Sequence, residues 1–207
     1  MEDVRLCVLV SGSGTILEAM LQHGLDVALV ASDRPCRGLV VASSAGIPAL
    51  LVDRQDFGGF TKAFDRDGYS QQLAKVLQEH HIDIVAMAGF GTIITASMHT
   101  PFNGRILNTH PSLLPLFKGW HAVAQAIESG ATESGCTVHI ATEELDDGPI
   151  LAQARVDVLL TDDEDSLHER IKTVERDLYP RVVGRVMASL RDGIEPAVLA
   201  ATIREEM

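Results

Sequence analysis

The stretch LCVLVSG, residues 6–12, is a continuous apolar run that ends in glycine. Strands that are apolar on both faces are typical of a parallel sheet covered by helices. Helically spaced apolar residues follow such runs, as in TILEAMLQHG, where Gly24 is the expected stop. This alternation predicts an α/β fold: a doubly wound, mostly parallel sheet with helices on both faces. Four later runs resemble the first: residues 26–32, 47–53, 82–90 and 105–109.

The pattern changes after Pro115. HAVAQAIESG predicts a short helix, while CTVHIATEEL and ILAQARVDVL predict two antiparallel strands joined by the turn DDGP. The sheet should therefore be parallel in its first part and antiparallel in its C-terminal part. We expect a single domain over residues 1–207, with a parallel βαβ half (1–100) and a mixed half (101–190).

A long closing helix is predicted over residues 162–190, because an acidic cluster at its start suits a helix N-terminus. Pro180 should kink or split this helix, since proline removes a backbone hydrogen bond. The tail from Asp192 is expected to add an edge strand or to stay loose.

Charge and composition exclude several classes of protein. The 207 residues carry a formal net charge of −12, which argues against a nucleic-acid-binding surface. Cys7, Cys36 and Cys136 are scattered and form no CxxC pair, so neither a zinc knuckle nor a disulfide framework is predicted. No apolar run is long enough to span a bilayer, and the start lacks a signal-peptide pattern. We expect a cytoplasmic protein that binds neither nucleic acid nor membrane.

The loop SGSGT, residues 11–15, joins the first strand to the first helix. Backbone amides at a helix N-terminus attract anions, so a phosphate could bind the amides of Gly14 and Thr15. The alternative is a tight turn in which Ser13 or Thr15 caps the helix. The motif is neither GxGxxG nor a P-loop, and its spacing leaves both interpretations open.

Asn108 and His110 lie within GRILNTHPSLLP, residues 104–115. Because they are two residues apart on a predicted strand, their side chains share one face, and Pro111 favours an extended backbone at His110. An amide and an imidazole are suitable donors for an oxygen that gains charge during a reaction. The alternative is that both side chains satisfy local backbone groups.

The turn EELDDGP places Asp146 and Asp147 before a Gly-Pro pair. Aspartate is common in turns because it bonds to nearby backbone amides. The functional interpretation is that one carboxylate reaches the Asn–His pair, favours a charged imidazolium and takes a proton. Trp120 and Phe117, after the proline turn, are expected to serve packing.

The segments LVSGSGT, ILNTHPSLLP, ELDDGPI and RIKTVERDLYP together resemble the glycinamide ribonucleotide formyltransferase family of purine biosynthesis. The resemblance covers nearly the whole chain and implies the formyltransferase fold. It implies formyl transfer from the co-substrate 10-formyltetrahydrofolate to the amine of glycinamide ribonucleotide, without a metal. Asn108, His110 and Asp146 would be the catalytic residues, and the Leu114–Pro115 bond would be cis.

The same resemblance assigns the binding residues. The half over residues 1–100 would hold the nucleotide phosphate, and the half over 101–190 would carry catalysis and folate binding. Ile16 stands where the family has Asn, and Gly91-Thr92 replaces a Met-Arg pair. The substrate-binding residues would be Ser13, Gly14, Thr15, Ile16, Lys172 and Glu175. The folate-binding residues would be Phe90, Gly91, Thr92, Ile93, Ile94, Ala141, Thr142, Glu143 and Glu144.

Three other functions compete with this one. A 10-formyltetrahydrofolate hydrolase would use water in place of the amine, and its family carries an extra N-terminal domain. A methionyl-tRNA formyltransferase would need an RNA-binding domain after Pro180, and the charge of −12 is unfavourable for tRNA. The third is an inactive folate- or nucleotide-binding module. A monomer and a homodimer are both compatible with the sequence.

Overall fold

The computed structural model describes residues 3–205, and this part of the chain contains seven strands and seven α-helices. The strand order is β3-β2-β1-β4-β5-β6-β7. The strands are β1 (Leu6–Val10), β2 (Val27–Ser32), β3 (Ala49–Leu51), β4 (Ile84–Met87), β5 (Ile106–His110), β6 (Glu133–Ile140) and β7 (Ile150–Asp157). The helices are α1 (Thr15–Gln22), α2 (Arg37–Ser44), α3 (Arg66–Glu79), α4 (Ala96–His99), α5 (Ala122–Glu128), α6 (Glu164–Arg191) and α7 (Pro196–Glu205).

The sheet is parallel from β3 to β5 and antiparallel at β6 and β7. The predicted fold class is therefore confirmed. Both faces of the sheet are covered, since alternate residues of β1 enter two different hydrophobic clusters. Leu6, Val8 and Val10 belong to the cluster beneath α1 and α6, whereas Cys7 and Leu9 belong to the cluster beneath α3. This double burial explains the unbroken apolar run in the sequence.

Strand β5 lies where the direction of the sheet changes. It pairs with β4 in parallel and with β6 in antiparallel orientation. In this register Asn108 stands opposite Met87 on one side and opposite His139 on the other. The register therefore brings a histidine of the second half beside the predicted amide.

Helix α6 begins with a capping box, in which the side chain of Asp163 accepts from the amide of Ser166 at 2.8 Å. It continues without interruption through Pro180, so the expected split is wrong. Pro180 is buried, and the hydroxyl of the preceding Tyr179 donates to the carbonyl of Leu107 at 2.8 Å. Tertiary packing of this face outweighs the hydrogen bond that proline removes.

Two other local expectations need correction. The tail forms helix α7, where an edge strand or a loose segment was expected, and residues 206–207 lie outside the described part. Pro196 occupies the first position of α7, where a missing backbone N–H costs nothing. Helix α2 was not anticipated at all. The Leu114–Pro115 bond is cis, as predicted. Within residues 3–205, no helix has the length and apolar character needed to cross a bilayer.

Candidate active site

A cavity of about 480 Å³ opens at the carboxyl ends of β1, β4 and β5. Ligands bind at this edge of a doubly wound sheet, because loops and helix N-termini converge there. The loop after β1 and the segment after β4 both border the cavity, and they touch where the amide of Gly91 donates to the hydroxyl of Ser11 at 2.7 Å. The wall is made by residues 12–16, 87–94, 108–111, 141–143, 145–146 and part of α6.

His110 ends β5 and is buried at the floor of this cavity. Its Nε2–H donates to the carbonyl oxygen of Phe117 at 2.8 Å, and its Nδ1 lies 3.2 Å from Oδ2 of Asp146. Both ring nitrogens thus face oxygen acceptors. The doubly protonated imidazolium is the form that satisfies both contacts. The predicted approach of Asp146 to His110 is present in the structure.

Asp146 is held in an unusual backbone conformation. Its φ angle of 53° lies in the left-handed region, which non-glycine residues rarely adopt. Its Oδ2 also accepts a hydrogen bond from the amide of Gly119 at 3.0 Å. Residues are held in such conformations mainly where the surrounding structure requires them, often at functional sites. The turn therefore aims this carboxylate inward, although the adjacent Asp147 pairs with Lys118 at the surface.

His139 is a site residue that the sequence interpretation missed. It is fully buried, and its Nδ1–H donates to the carbonyl of Ile140 at 3.0 Å. Its Nε2 then carries the lone pair and lies 3.4 Å from Nδ2 of Asn108 and 3.7 Å from Asp146. Burial lowers the pKa of His139, which keeps it neutral. A neutral His139 accepts from the Asn108 amide and fixes the orientation of that side chain.

The loop after β1 presents unused backbone donors. Gly14 is the N-cap of α1, with a φ angle of 73° and without a capping side-chain hydrogen bond. The alternative interpretation, a cap by Ser13 or Thr15, is therefore wrong. A Cβ atom on Gly14 would lie 2.8 Å from Cα of Gly38, so only glycine fits. The first amides of α1 remain free to bind an anion.

Helix α6, which packs against α1, contributes a polar wall to the cavity. Lys172 and Glu175 both line the cavity, and Nζ of Lys172 donates to Glu169 at 2.8 Å. Burial raises the pKa of Glu175, while a hydrogen bond from Thr109 acts in the opposite direction. In its protonated form, this carboxyl would offer both a donor and an acceptor to a ligand.

The segment after β4 contains Gly91 and Thr92, two of the predicted folate-binding residues, and neither presents a polar side-chain group to the cavity. The hydroxyl of Thr92 donates to Asp33 at 2.7 Å and accepts from Arg54 at 3.0 Å, so it points away from the cavity. A Cβ atom on Gly91 would lie 3.1 Å from the guanidinium of Arg34. Arg34 thus lies in the space beside Gly91.

The structure brings nearly all of the predicted site residues to one cavity. Glu144 is the exception: its side chain is exposed, and its carbonyl accepts from the hydroxyl of Thr142 at 2.9 Å. Trp120 was expected to pack, but it is 68% exposed and lines the mouth of the cavity. His99 and His168 also line the wall and were not predicted. The described residues contain no cluster of three metal-ligating side chains.

A doubly wound sheet with an amide, an imidazole and a carboxylate in a cavity at the carboxyl ends of its strands defines an α/β enzyme of the group-transfer class. The family model for formyl transferases matches residues 4–183. The chain therefore belongs to the formyl transferase family, as the sequence resemblance predicted.

Several known proteins are similar over most of the chain. Phosphoribosylglycinamide formyltransferase of Mycobacterium tuberculosis is 39% identical, over 96% of this chain and 91% of that protein. Trifunctional purine biosynthetic protein adenosine-3 of Drosophila melanogaster is 39% identical over 88% of this chain, which spans only 14% of the fly protein. Glycinamide ribonucleotide transformylase 1 from Symbiobacterium toebii has a similar structure, with a TM-score of 0.82, 40% identity, and coverage of 91% of this chain and 89% of that one.

Proposed function

We propose that the protein transfers a formyl group from 10-formyltetrahydrofolate to the amine of glycinamide ribonucleotide, in de novo purine biosynthesis. The observation that carries this proposal is the convergence of Asn108, His110 and Asp146 in one cavity, which is also bordered by the uncapped N-terminus of α1. The names of the relatives with similar length and fold support the choice of substrates.

In the proposed reaction, the amine nitrogen attacks the formyl carbon, and the carbonyl oxygen becomes an oxyanion. The amide N–H of Asn108 and a ring N–H of His110 donate to this oxygen. A preorganised donor of this kind contributes about 2.7–4 kcal/mol. Since Nε2 of His110 is bonded to the carbonyl of Phe117, the substrate oxygen has to replace this backbone acceptor.

The proton of the attacking amine leaves through Asp146, directly or through water. The C–N bond to the folate then breaks, and the folate nitrogen takes up the proton. Asp146 also orients the imidazole of His110, because the carboxylate lies 3.2 Å from Nδ1. Neither a covalent intermediate nor a metal takes part in this scheme, and correct positioning of two bound reactants supplies much of the remaining rate.

The two halves of the domain have different roles in this proposal. The half over residues 1–100 binds the ribonucleotide phosphate, on the amides of Gly14, Thr15 and Ile16. Ser13 belongs to the same loop. Lys172 and Glu175 face the ribose from α6.

The half over residues 101–190 carries catalysis and one wall of the folate site. The pterin binds backbone groups of residues 90–94 and 141–143, which border the cavity beyond Asn108. Glu144 is left out of this site, since it does not line the cavity. The three free cysteines support a reducing, cytoplasmic location. The proposal is compatible with a monomer or a homodimer.

The test is a coupled assay with 10-formyltetrahydrofolate, in the presence and absence of glycinamide ribonucleotide. We expect formyl transfer only when the amine is present. Release of formate without the amine would identify a hydrolase. Ligand binding without turnover under either condition would identify an inactive module.

Two matched variants sharpen this assay. Asp146→Asn should lower kcat by about 10²–10³-fold, since it removes the charge beside His110. Asp147→Asn is the control, because the neighbouring carboxylate pairs with Lys118 at the surface. Equal effects of both changes would contradict the assignment of Asp146.

A further inference from the structure

His168 lies in the α6 wall of the cavity, one helical turn before Lys172, and the mechanism above does not use it. It is half-buried, and neither ring nitrogen has a hydrogen-bond partner among the described residues. A polar side chain without a partner in the wall of a substrate cavity is a candidate ligand contact.

The packing of two helices places His168 beside the N-terminus of α1. Nε2 of His23, at the end of α1, lies 3.6 Å from the carboxylate of Asp177 on α6. A Cβ atom added to Gly184, further along α6, would lie 3.2 Å from the side chain of Leu25, which follows α1, so the two helices run in the same direction. Eight residues before His23 is Thr15, about 12 Å back along α1. The same distance along α6 leads from Asp177 to the turn that carries His168 and Lys172.

The anion-binding loop has little free positive charge of its own. Ile16 contributes no side-chain donor, and Arg37 is bonded to the carbonyl of Ser13 and to Glu18. Lys172 is a cation of α6 that lines the cavity, but its Nζ lies 2.8 Å from Glu169, which neutralises part of its charge. A further cation would therefore strengthen the binding of a phosphate dianion on these amides.

We propose that His168 determines specificity for the phosphate: its imidazole takes up a proton when the ribonucleotide binds and pairs with the phosphoryl group on the α1 amides. This inference rests on the proposed substrate. In this inference, the phosphate is bound by a side chain of α6 that changes its protonation state. The loop after β1 has no such side chain, because it carries the apolar Ile16.

The charges around His168 favour such a change of state on binding. Burial first, and then the Lys172 ammonium, lower the pKa of His168, so the free imidazole is neutral near pH 7. A bound phosphate dianion has the opposite effect on the pKa of His168, so the imidazole takes up a proton. The carboxylates of α6 near the ring act in the same direction, whereas Glu18, the carboxylate of α1, is paired with Arg37 of α2. The α6 carboxylates are Glu164, Asp165 and Glu169.

The experiment is calorimetric titration of the full chain with ribose 5-phosphate at pH 7.5, in two buffers of different ionisation enthalpy. Wild type should take up protons on binding. His168→Gln should lose this uptake and bind about tenfold more weakly, whereas His168→Arg should keep the affinity without the uptake. His81→Asn, at an exposed site, is the control and should behave as wild type.

Steady-state kinetics separate this inference from the proposed function. His168→Gln should raise KM for glycinamide ribonucleotide with little change in kcat, and thermal melting checks that the variant folds. If wild type turns over and His168→Gln has the same KM and the same proton uptake, the inference is overturned. If wild type has no formyl transfer activity, the proposed function fails. In that case, weaker binding of ribose 5-phosphate by His168→Gln still supports the phosphate contact, and unchanged binding overturns it.

Discussion

Nδ1 of His110 lies 3.2 Å from Oδ2 of Asp146, although the two residues belong to a strand and to a distant turn. Both side chains are buried, so the interaction is screened little by water. The contact joins the amide–imidazole face of β5 to the turn before β7. The geometry of this pair makes the chemical proposal testable residue by residue.

His110→Ala should lower kcat by about 10²–10³-fold and leave KM nearly unchanged, because the donor acts mainly on the oxyanion. Steady-state kinetics with both substrates measure this separation. His81→Asn is again the control, since this histidine is exposed. A large rise in KM at normal kcat would assign His110 to binding instead.

Glu175→Ala should raise KM for the ribonucleotide by about tenfold, because it removes a hydrogen-bonding carboxyl from the wall. Glu175→Gln should be much milder, since burial raises the pKa of Glu175 and an amide resembles the protonated acid. Ionisation at higher pH removes the O–H donor, so KM of wild type should rise with pH through the raised pKa. The Gln variant should lack this rise, and equal pH profiles would disprove the protonated form.

Stability should fall as the solution is acidified, with His139 as one cause. Burial lowers the pKa of His139 in the native protein, while the unfolded residue titrates near 6.5. Below pH 6.5 the unfolded chain therefore binds more protons than the native one, and the free energy of unfolding decreases. Urea denaturation at pH 7.5 and 5.5 should give a smaller difference for His139→Gln than for wild type. An unchanged difference would assign the acid sensitivity to other groups.

Gly148→Ala should destabilise the protein by about 1–3 kcal/mol or more. A Cβ atom at Gly148 would lie 1.7 Å from the carbonyl oxygen of Ile140, so backbone has to move. Because this turn also carries Asp146, kcat should fall as well. Gly12→Ala is the control for stability, since no atom lies within 4 Å of its added Cβ. Similar melting temperatures for the two variants would contradict this packing argument.

The sheet could be predicted from the sequence because its central strands are buried on both faces. The unbroken apolar runs of β1 and β4 follow directly from that burial. Local signals also predicted the stop near Gly24 and the antiparallel pair β6–β7. By contrast, Pro180 and α7 were misjudged, because tertiary packing decides whether a helix survives a proline.

The site was predictable only where its residues are close in sequence or belong to a recognised motif. His139 was missed because its role depends on the register that sets it opposite Asn108, which is a long-range property. Its place in an expected strand next to the Asp146 turn was the available signal. The contact from His110 to Phe117 was not predictable, since it depends on a left-handed backbone at Phe117, with φ of 54°.

Helix α6 carries Lys172 and Glu175, and one turn later the hydroxyl of Tyr179 is bonded to the carbonyl of Leu107, directly before Asn108. This hydrogen bond ties the polar wall of the cavity to the strand that carries Asn108 and His110. The replacement of the Phe117 carbonyl that the proposed reaction requires would then fall on the segment around Phe117. Crystals soaked with both reactants should accordingly keep the spacing between α6 and β5, while this segment changes position.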